Sequence, residues 1–150
     1  MPLTVREVTD AAGWRAVRAI RQAVFVEEQA CPPEEEWDAA DAAARRGTST
    51  HHLLGEAGGQ PVACCRWRPL DDGAAKLERF AVVRDRRGQG LARVLVQAAL
   101  DHARAAGHRR FVLHAQTRVA GLYRAFGFAA EGAPFEEAGI EHVKMTLTDP

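Results

Sequence analysis

The segment Arg87-Gly88-Gln89-Gly90-Leu91-Ala92 stands between an apolar run and a long stretch of helical periodicity. At the start of a helix the first backbone N–H groups have no partner within the helix and carry partial positive charge. Such a terminus suits a phosphate. Glycines let the backbone approach the anion without a Cβ in the way. Arg84, Arg86, Arg87 and Arg93 add a cationic rim. A pyrophosphate is therefore a sensible ligand; the plainer alternative is a solvated turn that needs glycine for its geometry. Two common phosphate loops are excluded. The Gly-x4-Gly-Lys-Ser/Thr pattern is absent, and neither Gly-x-Gly-x-x-Gly nor a train of βαβ units is present.

The elements that must position this turn follow from periodicity. Leu3 to Val8 reads as a strand, and Thr9 or Asp10 can cap the helix after it. Trp14, Val17, Ile20 and Val24 recur at helical spacing to about Glu28, before Pro32 and Pro33. Glu34 to Ala44 reads as a short second helix, with a loop around Gly47. Strands follow at His52 to Ala57, Val62 to Arg68 and Leu77 to Val83, separated by Gly58-Gly59 and Asp71-Asp72-Gly73 turns. The Gly-rich turn opens a helix marked by Leu91, Val94, Leu95 and Ala98 and ended by Gly107. Phe111 to Ala115 is a strand, Val119 to Phe126 a short helix ended by Gly127, and Phe128 to Ala130 and His142 to Leu147 the last strands. Strand, turn, helix, strand in the middle makes one βαβ unit with parallel strands. The expected product is a single α+β domain over residues 1–150: a mixed sheet of about seven strands, mostly antiparallel, with helices on both faces.

With the elements in place, a resemblance stands out. Arg87-x-x-Gly90-x-Ala92 after Leu77-Glu78-Arg79-Phe80-Ala81-Val82-Val83 resembles the pyrophosphate motif of the GNAT N-acetyltransferases, Gln/Arg-x-x-Gly-x-Gly/Ala. Leu122 to Phe128 resembles that superfamily's second hallmark, a short helix ending in an aromatic-Gly-Phe turn. Val24 to Pro32, His52 to Gly55, His114 to Gln116 and Glu136 to Met145 are similar to its ElaA-like branch. The resemblance implies a transferase taking acetyl-CoA as cosubstrate, with no metal. It implies that Phe80, Ala81 and Val82 pair through their backbone with pantetheine. Arg87, Gly88, Gln89, Gly90, Leu91 and Ala92 would hold the pyrophosphate. Many members have Asn where Gln116-Thr117 stands here, so Gln116 takes the corresponding place beside pantetheine. Tyr123, the only tyrosine, falls where the superfamily faces the CoA sulfur, and a phenol can protonate a departing thiolate. A base is open among Glu78, His114, His142, Glu136 and Glu137, with Glu78 and His114 foremost.

Composition bounds the partners. Twenty basic and twenty acidic residues cancel, which argues against a nucleic-acid binder. No apolar run approaches the roughly 20 residues of a membrane span, and no signal-peptide core is evident, so a cytoplasmic protein off the membrane is expected. Cys31, Cys64 and Cys65 lack the spacing of a disulfide framework or zinc site and read as reduced. Glu27, Glu28, Glu34, Glu35, Glu36, Asp38 and Asp41 form an acidic run, which implies either a small cationic amine as acceptor or merely a solvated helix face. A non-catalytic acyl-CoA sensor is the alternative function, and a homodimer through an edge strand is compatible with the fold.

Overall fold

The computed structural model describes residues 2–41 and 50–150. Seven strands form one sheet: β1 (Leu3–Glu7), β2 (His51–Ala57), β3 (Gln60–Pro69), β4 (Ala75–Val82), β5 (Arg110–Gln116), β6 (Ala129–Glu137) and β7 (Ile140–Thr148). Their order is β1-β2-β3-β4-β5-β7-β6. Only β4 and β5 are parallel. The mixed sheet expected from the sequence is therefore observed. The expected loop around Gly47 lies outside the described residues, as do residues 42–44 of the expected second helix. No described helix is long and apolar enough to cross a membrane.

Strand alternation assigns the two faces. Adjacent strand residues point to opposite sides, so Cys65 joins the cluster with Leu53, Trp67, Leu77, Phe111 and Leu113, while Cys64 joins Trp14, Val17, Ile20 and Leu54. The first cluster is closed by α3 (Leu91–Ala105) through Leu95, Val96, Ala99, Leu100 and Ala103. The second is closed by α1 (Ala11–Arg21), which Asp10 caps by accepting from the Gly13 N–H at 2.7 Å. All three cysteines are buried free thiols. Burial pushes the Cys64 thiol up to about 12, which keeps it protonated and inert.

Three elements differ from expectation. The helix expected from Glu34 to Ala44 is interrupted: α2 (Pro33–Glu36) ends at Trp37, whose backbone is extended at φ −93° and ψ +119°. The first helix does reach Glu28, but Gln22–Glu28 is wound as a π-helix, a form common beside functional sites. Strand β6 continues past Ala130 to Glu137. Its register to β7 jumps from Glu131↔Lys144 to Phe135↔His142, so Gly132, Ala133 and Pro134 stand opposite the single residue Val143. Gly132 at φ +81° and Pro134 are the residues a bulge admits, and they hide the strand from a search for alternation.

Three members of the acidic run, Glu36, Asp38 and Asp41, are paired with buried arginines, while Glu27, Glu34 and Glu35 are exposed. Arg21 and Arg66 are each 1% exposed. Arg21 donates to Glu36 Oε2 at 2.5 Å, to Asp41 Oδ1 at 2.6 Å and to the Glu36 carbonyl at 2.8 Å. Arg66 donates to both oxygens of Asp38, to Asp41 Oδ1 at 2.8 Å and to Glu78. α2 (Pro33–Glu36) and the chain after it are thereby tied to α1, β3 and β4. Removing one partner from such a buried set leaves an uncompensated charge and costs about 3–5 kcal/mol.

His52 sits under this network. Its ring meets Trp14 edge-on at 4.8 Å, Nε2 is 3.7 Å from Asp41, and neither nitrogen has a hydrogen-bond partner among the described residues. Burial, with Arg21 nearby, pushes its pKa down to about 4. Below pH 6.5 the unfolded chain takes up this proton first, so the contribution is intact above 6.5 and lost as pH falls towards 4. The loss is about 3 kcal/mol by pH 4. Urea unfolding between pH 7 and 4 should show the wild type losing about that much more stability than His52→Phe; parallel curves for the two proteins would remove His52 from this role.

Candidate active site

β4 and β5 pair at only two positions, Ala75↔Phe111 and Lys76↔Val112. Beyond them the strands part, and a cavity of about 750 Å³ opens between Leu77–Val82 on one side and Leu113, His114 and Gln116 on the other. A bulge in β4 turns the backbone towards this space. Cys64 pairs with Ala81 and Arg66 with Glu78, so Arg79 and Phe80 both stand opposite Cys65. Arg79 lies at φ +60°, a conformation that costs a side-chain-bearing residue about 1–2 kcal/mol. Its guanidinium is anchored by Glu36 Oε1 at 3.1 Å, Asp38 Oδ2 at 3.5 Å and the Glu36 carbonyl at 3.3 Å. The buried charge network thus holds the bulge in place.

At the far end of β4 is the Gly-rich turn. Gly88 and Gly90 have φ of +78° and +77°, and a Cβ at either would face open space. Gly90 is the N-cap of α3 and offers no side chain to it. The first N–H groups of α3 therefore lack a side-chain acceptor and remain suited to an anion. Arg86, Arg87 and Arg93 line the cavity beside them. Arg87 also organises the turn: Nε donates to the Val82 carbonyl at 3.0 Å, and Nη1 and Nη2 pair with Glu28 at the end of the π-helix. This donor set fits a pyrophosphate.

Tyr123, on α4 (Ala120–Arg124), lies in the cavity wall on the α3 side of the sheet. Its ring is 5.8 Å from Phe80 and 6.2 Å from Phe128. Burial pushes the phenol's pKa up, so it keeps its proton at neutral pH. The opposite rim carries His114, Glu137 and His142. Glu137 Oε1 is 3.3 Å from His114 Nδ1, and Oε2 is 3.6 Å from His142 Nε2. The His114 hydrogen bond holds the Glu137 carboxyl below the usual range. His142 donates from Nδ1 to the Ile140 carbonyl at 2.7 Å, which fixes that nitrogen as protonated.

Glu78 also lines the cavity, but it is occupied. Burial alone would raise its carboxyl; Arg66, Arg68 and Lys76 outweigh burial and hold it low. It is an anchor for cations more than a proton acceptor. Gln116 is engaged twice, donating to Gln29 Oε1 at 3.0 Å and accepting from Arg118 at 2.9 Å. Phe80, Ala81, Val82, Arg87, Gly88, Gly90, Leu91, Ala92 and Gln116 all line the same cavity. Gln89 and Glu136 are exposed and stand outside its lining. Arg79 and Glu28 were not singled out for these tasks by the sequence, because the bulge and the ion pair across the turn leave no motif.

Comparison with known proteins agrees with this architecture. The model of the acetyltransferase (GNAT) domain matches residues 22–149. The uncharacterized N-acetyltransferase YjcF of Bacillus subtilis is 34% identical over 127 residues, 84% of this chain and 86% of that protein. An acyl-CoA N-acyltransferase of Pseudomonas aeruginosa superposes with a TM-score of 0.83 at 28% identity, over 98% of this chain and 99% of the other. ElaA of Escherichia coli shares the fold with a TM-score of 0.84 at 24% identity, over 97% and 99%. The fold also occurs with acetyl-CoA bound in a GNAT acetyltransferase of Elizabethkingia anophelis, at 14% identity and a TM-score of 0.67 over 97% of each chain. The class is thus an acyltransferase of the GNAT fold. The chain belongs to the GNAT acetyltransferase family.

The Arg79 bulge can be tested by stability. Arg79→Ala loses the anchors and keeps the unfavourable φ, whereas Arg79→Gly loses the anchors and relieves it. Chemical denaturation should find the Gly variant more stable than the Ala variant by about 1 kcal/mol. The reverse order would show that the positive φ is not maintained.

Proposed function

We propose that the protein transfers an acetyl group from acetyl-CoA to a primary amine, by direct attack of the amine within a ternary complex. The observation that carries this reading is the parted β4–β5 pair, with an uncapped helix start at one end and a buried, proton-bearing Tyr123 in its wall. The N–H groups from Gly88 to Ala92 would hold the pyrophosphate, and the backbone at Phe80–Val82, at and just past the bulge, would align the pantetheine arm. Bound acetyl-CoA would supply a thioester carbonyl and a thiolate leaving group.

The chain's own residues handle the protons. Attack forms the amide C–N bond and breaks the C–S bond, so one proton must leave nitrogen and one must reach sulfur. Tyr123 holds the second, and its burial ensures that the donor form prevails. His114, backed by the Glu137 carboxylate, is the best-placed acceptor for the first. Glu78, tied to three cations, is a weaker candidate.

A thiol-release assay over a panel of primary amines tests the reading. Release of CoA well above background is expected for at least one amine. Tyr123→Phe should lower kcat by roughly 100-fold or more while the KM for acetyl-CoA changes little. An unchanged kcat would remove Tyr123 from the proton step. Tight acetyl-CoA binding with no turnover of any amine would favour a binding-only role.

A further inference from the structure

α1 packs over β2, β3 and β4, and beyond it on the same sheet face lies a second cavity of about 450 Å³. Four cations line it, Arg68, Lys76, Arg110 and Lys144, against two carboxylates: Glu131, 3.3 Å from Lys144, and Asp72, 3.8 Å from Arg110. Lys76 and Lys144 are the only two lysines among the chain's 20 basic residues. The strand register brings them together. Arg68 pairs with Lys76, Lys76 is level with Val112, and His114 stands directly opposite Lys144. Lys76, His114 and Lys144 therefore project from three neighbouring strands on one face.

This cavity adjoins the cleft, because Lys76 and His114 line both. Two carboxylates stand at their junction: Glu78 is shared by three cations, Arg66, Arg68 at 3.1 Å and Lys76 at 3.7 Å, and Glu137 faces His114 at 3.3 Å and His142 at 3.6 Å. Of the acidic run, Glu36, Asp38 and Asp41 are paired with Arg21, Arg66 and Arg79, while Glu34 and Glu35 stay exposed, and Glu35 lines the cleft but not this cavity. Lysine offers a compact charge on a flexible stem, suited to a carboxylate or phosphate of variable position.

We propose that this cavity holds an anionic group of the acceptor. The acceptor is then an amine that also bears a carboxylate or phosphate, with its nitrogen towards His114 and its anion between Lys76 and Lys144. The proposal rests on the transfer reading of the cleft and is opposite in sign to the cationic acceptor, one of the two readings of the acidic run.

Matched pairs of amines test it: β-alanine against β-alaninamide, and O-phosphoethanolamine against ethanolamine, with putrescine as the cationic control. At least tenfold higher kcat/KM is expected for one or both anionic members, and the pair with the larger ratio tells carboxylate from phosphate. Lys144→Gln should raise the KM for that amine at least tenfold and leave the KM for acetyl-CoA within twofold. Equal rates within both pairs, a preference for putrescine, or an unmoved amine KM in the variant would overturn the proposal. Calorimetry of the same amines on the CoA-bound protein separates the two readings. Binding of an anionic member that Lys144→Gln abolishes, with no CoA released, would uphold the anion site and defeat the transfer reading. No discrimination in rates or in binding would defeat the anion site.

Discussion

Backbone N–H and C=O groups inside a sheet need partners, and β4 abandons its ladder to β5 after two residue pairs. Every other feature of the cleft follows from that break. The strands part, a cavity forms between them, and the exposed edge of β4 becomes a line of donors and acceptors inside the protein. A linear, amide-rich ligand can complete such an edge as a missing strand would. The sheet of this chain thus has one interrupted ladder, flanked by a helix start whose N–H groups suit an anion.

The bulge that shapes the β4 side of the cleft is held electrostatically. The bulge at Arg79 carries an unfavourable φ, and its side chain is held by Glu36 and Asp38. Those carboxylates are themselves held by Arg21 and Arg66 in the interior. Salt bridges buried this deeply add little net stability over apolar packing. Their contribution is positional: they fix the segment after the π-helix against β3 and β4, and so fix one wall of the cleft. Arg87 repeats the arrangement on a smaller scale, joining the Gly-rich turn to β4 and to Glu28.

Much of this was legible in the sequence, for stated reasons. The βαβ unit announces itself through an apolar strand, glycines and a long amphipathic helix. Gly88 and Gly90 read either as room for an anion or as turn geometry, and both have positive φ with open space where a Cβ would stand. Adjacent Cys64 and Cys65 had to face opposite ways, and they do. What was hidden depends on contacts between distant residues. The π-helical winding of Gln22–Glu28 has no marker in the apolar spacing, whose last buried member is Val24. The bulge at Gly132 to Pro134 breaks alternation and conceals half of β6. The pairing of Glu36, Asp38 and Asp41 with Arg21 and Arg66 joins residues 15 to 28 positions apart, which no local pattern marks. Likewise nothing in the sequence marks Lys76 and Lys144 as neighbours, since only the β4-β5-β7 order brings them to one face.

The central claim is that the open edge of β4 and the start of α3 together receive an acyl-CoA. Amide hydrogen exchange, measured with and without saturating acetyl-CoA, addresses it at those residues. Peptides covering Arg79–Val83 and Arg87–Arg93 should gain protection, while exchange across β1 and β2 stays the same. Unchanged exchange in both segments at saturating acetyl-CoA would contradict the account.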